Sequence, residues 1–74
     1  MNYYTVQMLV FQEVDKKLAM VQGKNECVSV NSIVLELTKR FPVSPKAIEK
    51  RINMFVSEHS NILELKDGEV CPCQ

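Results

Sequence analysis

Three residues, Pro42-Val43-Ser44, separate two amphipathic helical stretches, and a two-residue hairpin follows them. This run from Asn31 to Gly68 constrains the fold more than any other part of the chain. Asn31 is a suitable N-cap for a helix over 32–41. Pro42 ends that helix, Ser44 caps the next, and Pro45 takes its first helical position, where a missing N–H costs nothing. Asp67-Gly68 between Ile62–Lys66 and Glu69–Cys73 is a type I′ hairpin signal. A two-residue loop pairs Lys66 with Glu69, Leu65 with Val70, Glu64 with Cys71, Leu63 with Pro72 and Ile62 with Cys73. Two helices joined by so short a turn can present the second helix to a DNA groove.

The flanking segments complete a three-helix pattern. A first helix is expected from about Tyr3 or Thr5 to Gln22, ending at Gly23. Val6, Val10, Val14, Leu18 and Val21 form its inner face, widened by Tyr3 and Phe11. Glu26–Val30 reads as a short strand. Ile33, Val34, Leu37 and Phe41 form the inner stripe of helix two. Ile48, Ile52, Phe55 and Val56 form that of helix three, which runs from Pro45 to about His59, with Asn61 expected to close it in a left-handed conformation. In the hairpin, Leu63, Leu65, Val70 and Pro72 share the expected core face, and Glu64, Cys71 and Cys73 share the other. Pro72 cannot donate to a ladder, so its position must be unpaired or at an edge.

A chain of 74 residues is read as one domain, 1–74, which buries only about 60–65% of the surface its unfolded chain exposes. Its nine basic and nine acidic side chains cancel, so binding to nucleic acid would have to come from a local basic face rather than from bulk charge. No apolar run approaches the ~18 residues of a membrane span, and no signal peptide is read. Three cysteines are too few for a disulfide scaffold, so a cytoplasmic protein with reduced thiols is expected. With two glycines, one histidine and no cluster of carboxylates, neither a phosphate loop nor a catalytic constellation is visible. An enzyme is not expected, and neither is a cofactor.

The order helix, short strand, helix, turn, helix, hairpin resembles the winged helix-turn-helix family over about Tyr3 to Cys73. Ser44-Pro45 opening the third helix and Asp67-Gly68 at the wing tip carry the resemblance. It implies an α+β fold of three helices with a small antiparallel sheet, in which the strand at Cys27–Val30 joins the wing hairpin. It also implies that Lys46, Lys50 and Asn53 lie on the face turned to the major groove. The wing would then contact backbone or minor groove, with Lys66 as the positive charge near its tip. Many winged helices serve instead as protein-interaction modules.

The candidate nucleic-acid-binding residues are Ser44, Lys46, Lys50, Asn53, Ser57 and Lys66. Four of them, Lys46, Lys50, Asn53 and Ser57, fall within about 60° on one side of helix three. Lysine neutralises phosphate or reads guanine, and asparagine pairs bidentately with adenine; the plain alternative is an ordinary solvated helix face. Lys39 and Arg40 are possible backbone contacts. Leu9 and Met20 lie about 20° apart, away from the inner face of helix one, and are expected in a homodimer interface that Met8 can extend. Cys27, Cys71 and Cys73 could converge on the sheet, with His59 as a fourth metal ligand. Cys-x-Cys is not finger spacing, however, and small buried thiols are common, so neither a metal nor a reversible disulfide is expected. The expected function is a small, dimeric, DNA-binding transcriptional regulator. The alternatives are a protein–protein interaction module without DNA binding and a thiol or metal sensor on the same scaffold.

Overall fold

The computed structural model describes residues 2–73. Helix α1 spans Tyr3–Lys24, strand β1 Val28–Ser29, helix α2 Val30–Arg40, helix α3 Pro45–Glu58, strand β2 Leu63–Lys66 and strand β3 Glu69–Pro72. The sheet is antiparallel with order β1-β3-β2, so the last strand is the central one. This is an α+β winged-helix layout. No helix among the described residues is long and apolar enough to cross a membrane.

Local chemistry sets the helix ends. The Asn2 side chain accepts from Thr5 N–H at 2.9 Å and opens α1. The same helix runs through Gly23, the expected stop, and closes at Asn25 with φ 56°. Asn25 N–H donates to Gln22 O and Glu26 N–H to Val21 O, the two bonds of a Schellman motif. Asparagine tolerates the left-handed region, so the glycine is not required there. Helix α2 begins two residues before the expected start. Its cap is Ser29, not Asn31: Ser29 Oγ accepts from Ser32 N–H, and Ser32 Oγ donates back to Ser29 O. As a result β1 shrinks to two residues and passes directly into α2. Ser44 caps α3 through Ala47 N–H at 3.2 Å, with Pro45 in the first turn. His59 N–H closes α3 on Phe55 O and Val56 O. Asn61 is not left-handed; Asn25 and Asp67 are the described non-glycine residues with positive φ.

The wing register is the expected one, from Leu63 opposite Pro72 to Lys66 opposite Glu69. Asp67 (φ 52°) and Gly68 (φ 78°) supply the two left-handed residues that a type I′ turn needs. Val30 N–H donates to Gly68 O at 3.0 Å, and Cys73 N–H to Ile62 O at 2.8 Å. Alternation along an antiparallel ladder then turns Gly68, Val70 and Pro72 toward β1, and Glu69, Cys71 and Cys73 toward β2. Pro72 therefore lacks its N–H on the side facing β1, and the β1–β3 ladder ends at Val28 opposite Val70. One position further, Cys27 and Cys71 stand opposite each other with Cα atoms 4.2 Å apart, joined by a disulfide. Such a non-hydrogen-bonded pair brings side chains closest together. This corrects the expectation of reduced thiols: the sequence placed Cys27 alongside Cys71 and Cys73 on the sheet, but the register that seats Cys27 directly opposite Cys71 depends on where the short β1 ends.

Val10, Val14, Leu18 and Val21 of α1, Ile33 and Leu37 of α2, Val43 of the turn, Ile48, Ile52 and Val56 of α3, and Leu63 and Val70 of the sheet form one buried cluster. Phe11, Phe41 and Phe55 are half-buried at its edge. Three expected core residues, Leu65, Tyr3 and Pro72, lie outside it, with Pro72 half-buried at the end of β3. Leu65 is 44% exposed because the wing extends past the helices, and Tyr3 is 53% exposed because α1 overhangs the body. A 22-residue helix is about 33 Å long; the molecule measures 40 × 19 × 19 Å.

Ile52 has no exposed surface. Ile52→Ala should cost about 2–5 kcal/mol, read as a lower urea midpoint; an unchanged midpoint would take α3 out of the core. The disulfide closes a sequence separation of 44 residues. Reducing it in the presence of a chelator should remove about 2–4 kcal/mol of stability, and equal urea midpoints for the oxidised and reduced chain would contradict this role.

Candidate nucleic-acid interface

Helix α3 is fixed from one side and open on the other. Ile48, Ile52 and Val56 anchor it in the core. Arg51 reaches back to α1, where its Nε and Nη2 donate to the two carboxylate oxygens of Asp15 at 3.0 and 2.5 Å. Its guanidinium also lies 5.3 Å from the Phe11 ring centroid. The hydrogen bond to Asp15 is the main reason that Arg51 holds its proton more tightly than a free guanidinium. A half-buried bidentate pair of this kind sits at the upper end of the ~0.2–1 kcal/mol range of exposed ion pairs.

The outer face carries Lys46, Lys50, Asn53 and Ser57, all exposed. Among the described residues, none of the four joins an ion pair or a side-chain hydrogen bond. The first turn of α3 contains no acidic residue, so the positive end of its dipole adds to Lys46 and Lys50. Other cations are committed inward. Lys17 contacts Glu36 at 2.7 Å, and Arg40 reaches Glu36 at 3.6 Å and Glu13 at 3.7 Å. Lys17 is the leading cause of the lowered pKa of Glu36. Asp15–Arg51 ties α1 to α3, and Glu13–Arg40 ties α1 to α2. Met54, 44% exposed beside Lys50, is an apolar residue on the outer face that the charge pattern did not reveal.

The other candidates divide into three groups. Ser44 is exposed, but its hydroxyl is occupied as the cap of α3. Lys66 is exposed on the wing, where Glu64, Asp67 and Glu69 outnumber it. Leu9 and Met20 are 39% and 46% exposed on α1, and Tyr4 and Met8 on the same helix are 76% and 61% exposed. The expected convergence of three thiols and His59 is only partly formed. Cys27 and Cys71 meet, with a carboxylate oxygen of Glu69 within 4.8 Å of both sulfurs. Cys73 is an unpaired thiol that faces Ser60 O at 3.8 Å. Burial, and then Glu64, raise its pKa. His59 stacks on Phe55 with ring centroids 4.0 Å apart, and its Nδ1 lies 2.8 Å from Phe55 O; it belongs to the end of α3, not to the cysteines.

No protein-family model, curated protein or solved structure matches the chain. The winged-helix description therefore rests on element order, strand order and register.

Proposed function

We propose that this chain binds double-stranded DNA as a homodimeric transcriptional regulator, with α3 in the major groove. The observation that carries this reading is the division of cations on α3: Arg51 is held inward by Asp15, while Lys46 and Lys50 stand outward beside Asn53. A groove about 12 Å wide accepts a helix 10–12 Å across. Fourteen residues give α3 a length of about 21 Å, enough to lie along several base pairs. Lys46 and Lys50 supply phosphate neutralisation, Asn53 an adenine-type readout, and Ser57 a further hydroxyl contact. Met54 suits a thymine methyl. The wing is the weaker contact, because only Lys66 there is positive. The role is one of binding without catalysis, in the cytoplasm.

Selection from a random duplex library at low salt tests this. An enriched sequence should be bound with a salt slope that falls by about one for each phosphate contact removed, so Lys46→Ala or Lys50→Ala should weaken all duplexes alike. Asn53→Ala should cost about 1–3 kcal/mol on the enriched site and little elsewhere. Without enrichment or salt-dependent binding, the reading passes to a protein-interaction module. The acidic wing formed by Glu64, Asp67 and Glu69 favours that second reading.

Leu9 and Met20 supply the dimer contact in this reading, on a helix whose overhang leaves Tyr4 and Met8 open as well. Leu9→Glu with Met20→Glu should give a folded monomer in sedimentation equilibrium. A parent chain that is already monomeric at high concentration would remove the dimer.

A further inference from the structure

The outer face of the sheet gathers two sulfurs and an excess of carboxylates. Cys27 and Cys71 face each other across the end of the β1–β3 ladder, and a Glu69 carboxylate oxygen is within 4.8 Å of both. Glu64 lies opposite Cys71 on the other side of β3. Glu64, Lys66, Asp67 and Glu69 line one open groove with the two cysteines. Three carboxylates against one ammonium make this an acidic face.

That charge decides what the pair can do once reduced. A reactive thiol-exchange site needs positive neighbours to stabilise thiolate, and here the neighbours are negative. Two thiols beside carboxylates instead call for a cation that takes sulfur and oxygen together, which is zinc-type chemistry. The spacing fits. Zinc–sulfur bonds of about 2.3 Å at a tetrahedral angle place two sulfurs about 3.8 Å apart. Directly opposed residues on neighbouring strands hold their Cβ atoms about 4.5–5.5 Å apart, so rotation about χ1 can open the pair to that separation. Glu69 then needs only a side-chain adjustment to become the third ligand, with Glu64 or water as the fourth.

We infer that the reduced Cys27–Cys71 pair, with Glu69, is a binding site for a thiophilic divalent cation, which ties β1 to β3 in place of the disulfide. Opening the disulfide takes two electrons from a thiol reductant, which leaves as its own disulfide. The two protein thiols then each give up a proton as the two metal–sulfur bonds form. In a reducing compartment the ion would thus keep the sheet joined at the point where Pro72 ends the ladder.

The test is a titration of the full chain with cobalt(II), reduced and then freed of oxygen and excess reductant. One cobalt per chain should bind, with near-ultraviolet thiolate-to-cobalt bands and visible bands of tetrahedral intensity. The oxidised chain should show neither. Cys27→Ser should halve the thiolate band or abolish it. Glu69→Gln, an exposed substitution that leaves the core untouched, should keep the thiolate band and weaken binding roughly tenfold or more. Cys73→Ser should change nothing. A reduced chain without thiolate bands would overturn the inference. So would bands that survive Cys27→Ser at full strength, or cobalt affinity unaffected by Glu69→Gln.

Discussion

The attachment of β1 to the wing hairpin is confined to one short stretch, which ends at Cys27 and Cys71. Pro72 removes the next donor, so β1 is held by two paired residues, the bond from Val30 to Gly68 and the cross-link. The position of α2 follows from that attachment, because Ser29 is both the last residue of β1 and the cap of α2. Helix α2 packs on α3 across the turn that Val43 buries. The direction in which α3 points its outer face is therefore linked, through α2, to whether β1 stays on the sheet. In a domain with so small a core, this is a large share of the available constraint.

Zero net charge does not mean an even surface. The long-range ion pairs gather where α1 meets its neighbours: Asp15 with Arg51, and Glu13, Lys17, Glu36 and Arg40 together. This leaves a basic, uncommitted face on α3 and an acidic one on the wing. The two faces suit different partners, phosphate for one and a cation for the other. Total charge cannot separate them, since the opposite excesses cancel in the sum.

The element order, the hairpin register and most of the core were legible in the sequence because they depend on local signals. Ser44-Pro45, Asp67-Gly68 and the apolar spacing of Ile48, Ile52 and Val56 each act within a few residues. The misplaced boundaries, at Gly23 and Asn31, are places where two residues compete for one cap; the backbone bonds of Glu26 and Ser32 decided between them. Leu65 alternates correctly with Leu63 but lies beyond the reach of the helices, and sequence alternation carries no information about where a layer ends. The outer residues of α3 were legible as a stripe. The inward pairing of Arg51 was not, because its partner Asp15 lies 36 residues away in sequence.

The claim that α3 is the docking element is tested most directly by following the amide chemical shifts of the isotopically labelled chain as a selected duplex is added. Docking through α3 predicts the largest shifts at Lys46, Lys50, Asn53 and Ser57, smaller ones at Lys66, and little change at Glu64 or Glu69. Shifts centred on the overhanging end of α1 or on the acidic wing, with the outer face of α3 unmoved, would contradict it.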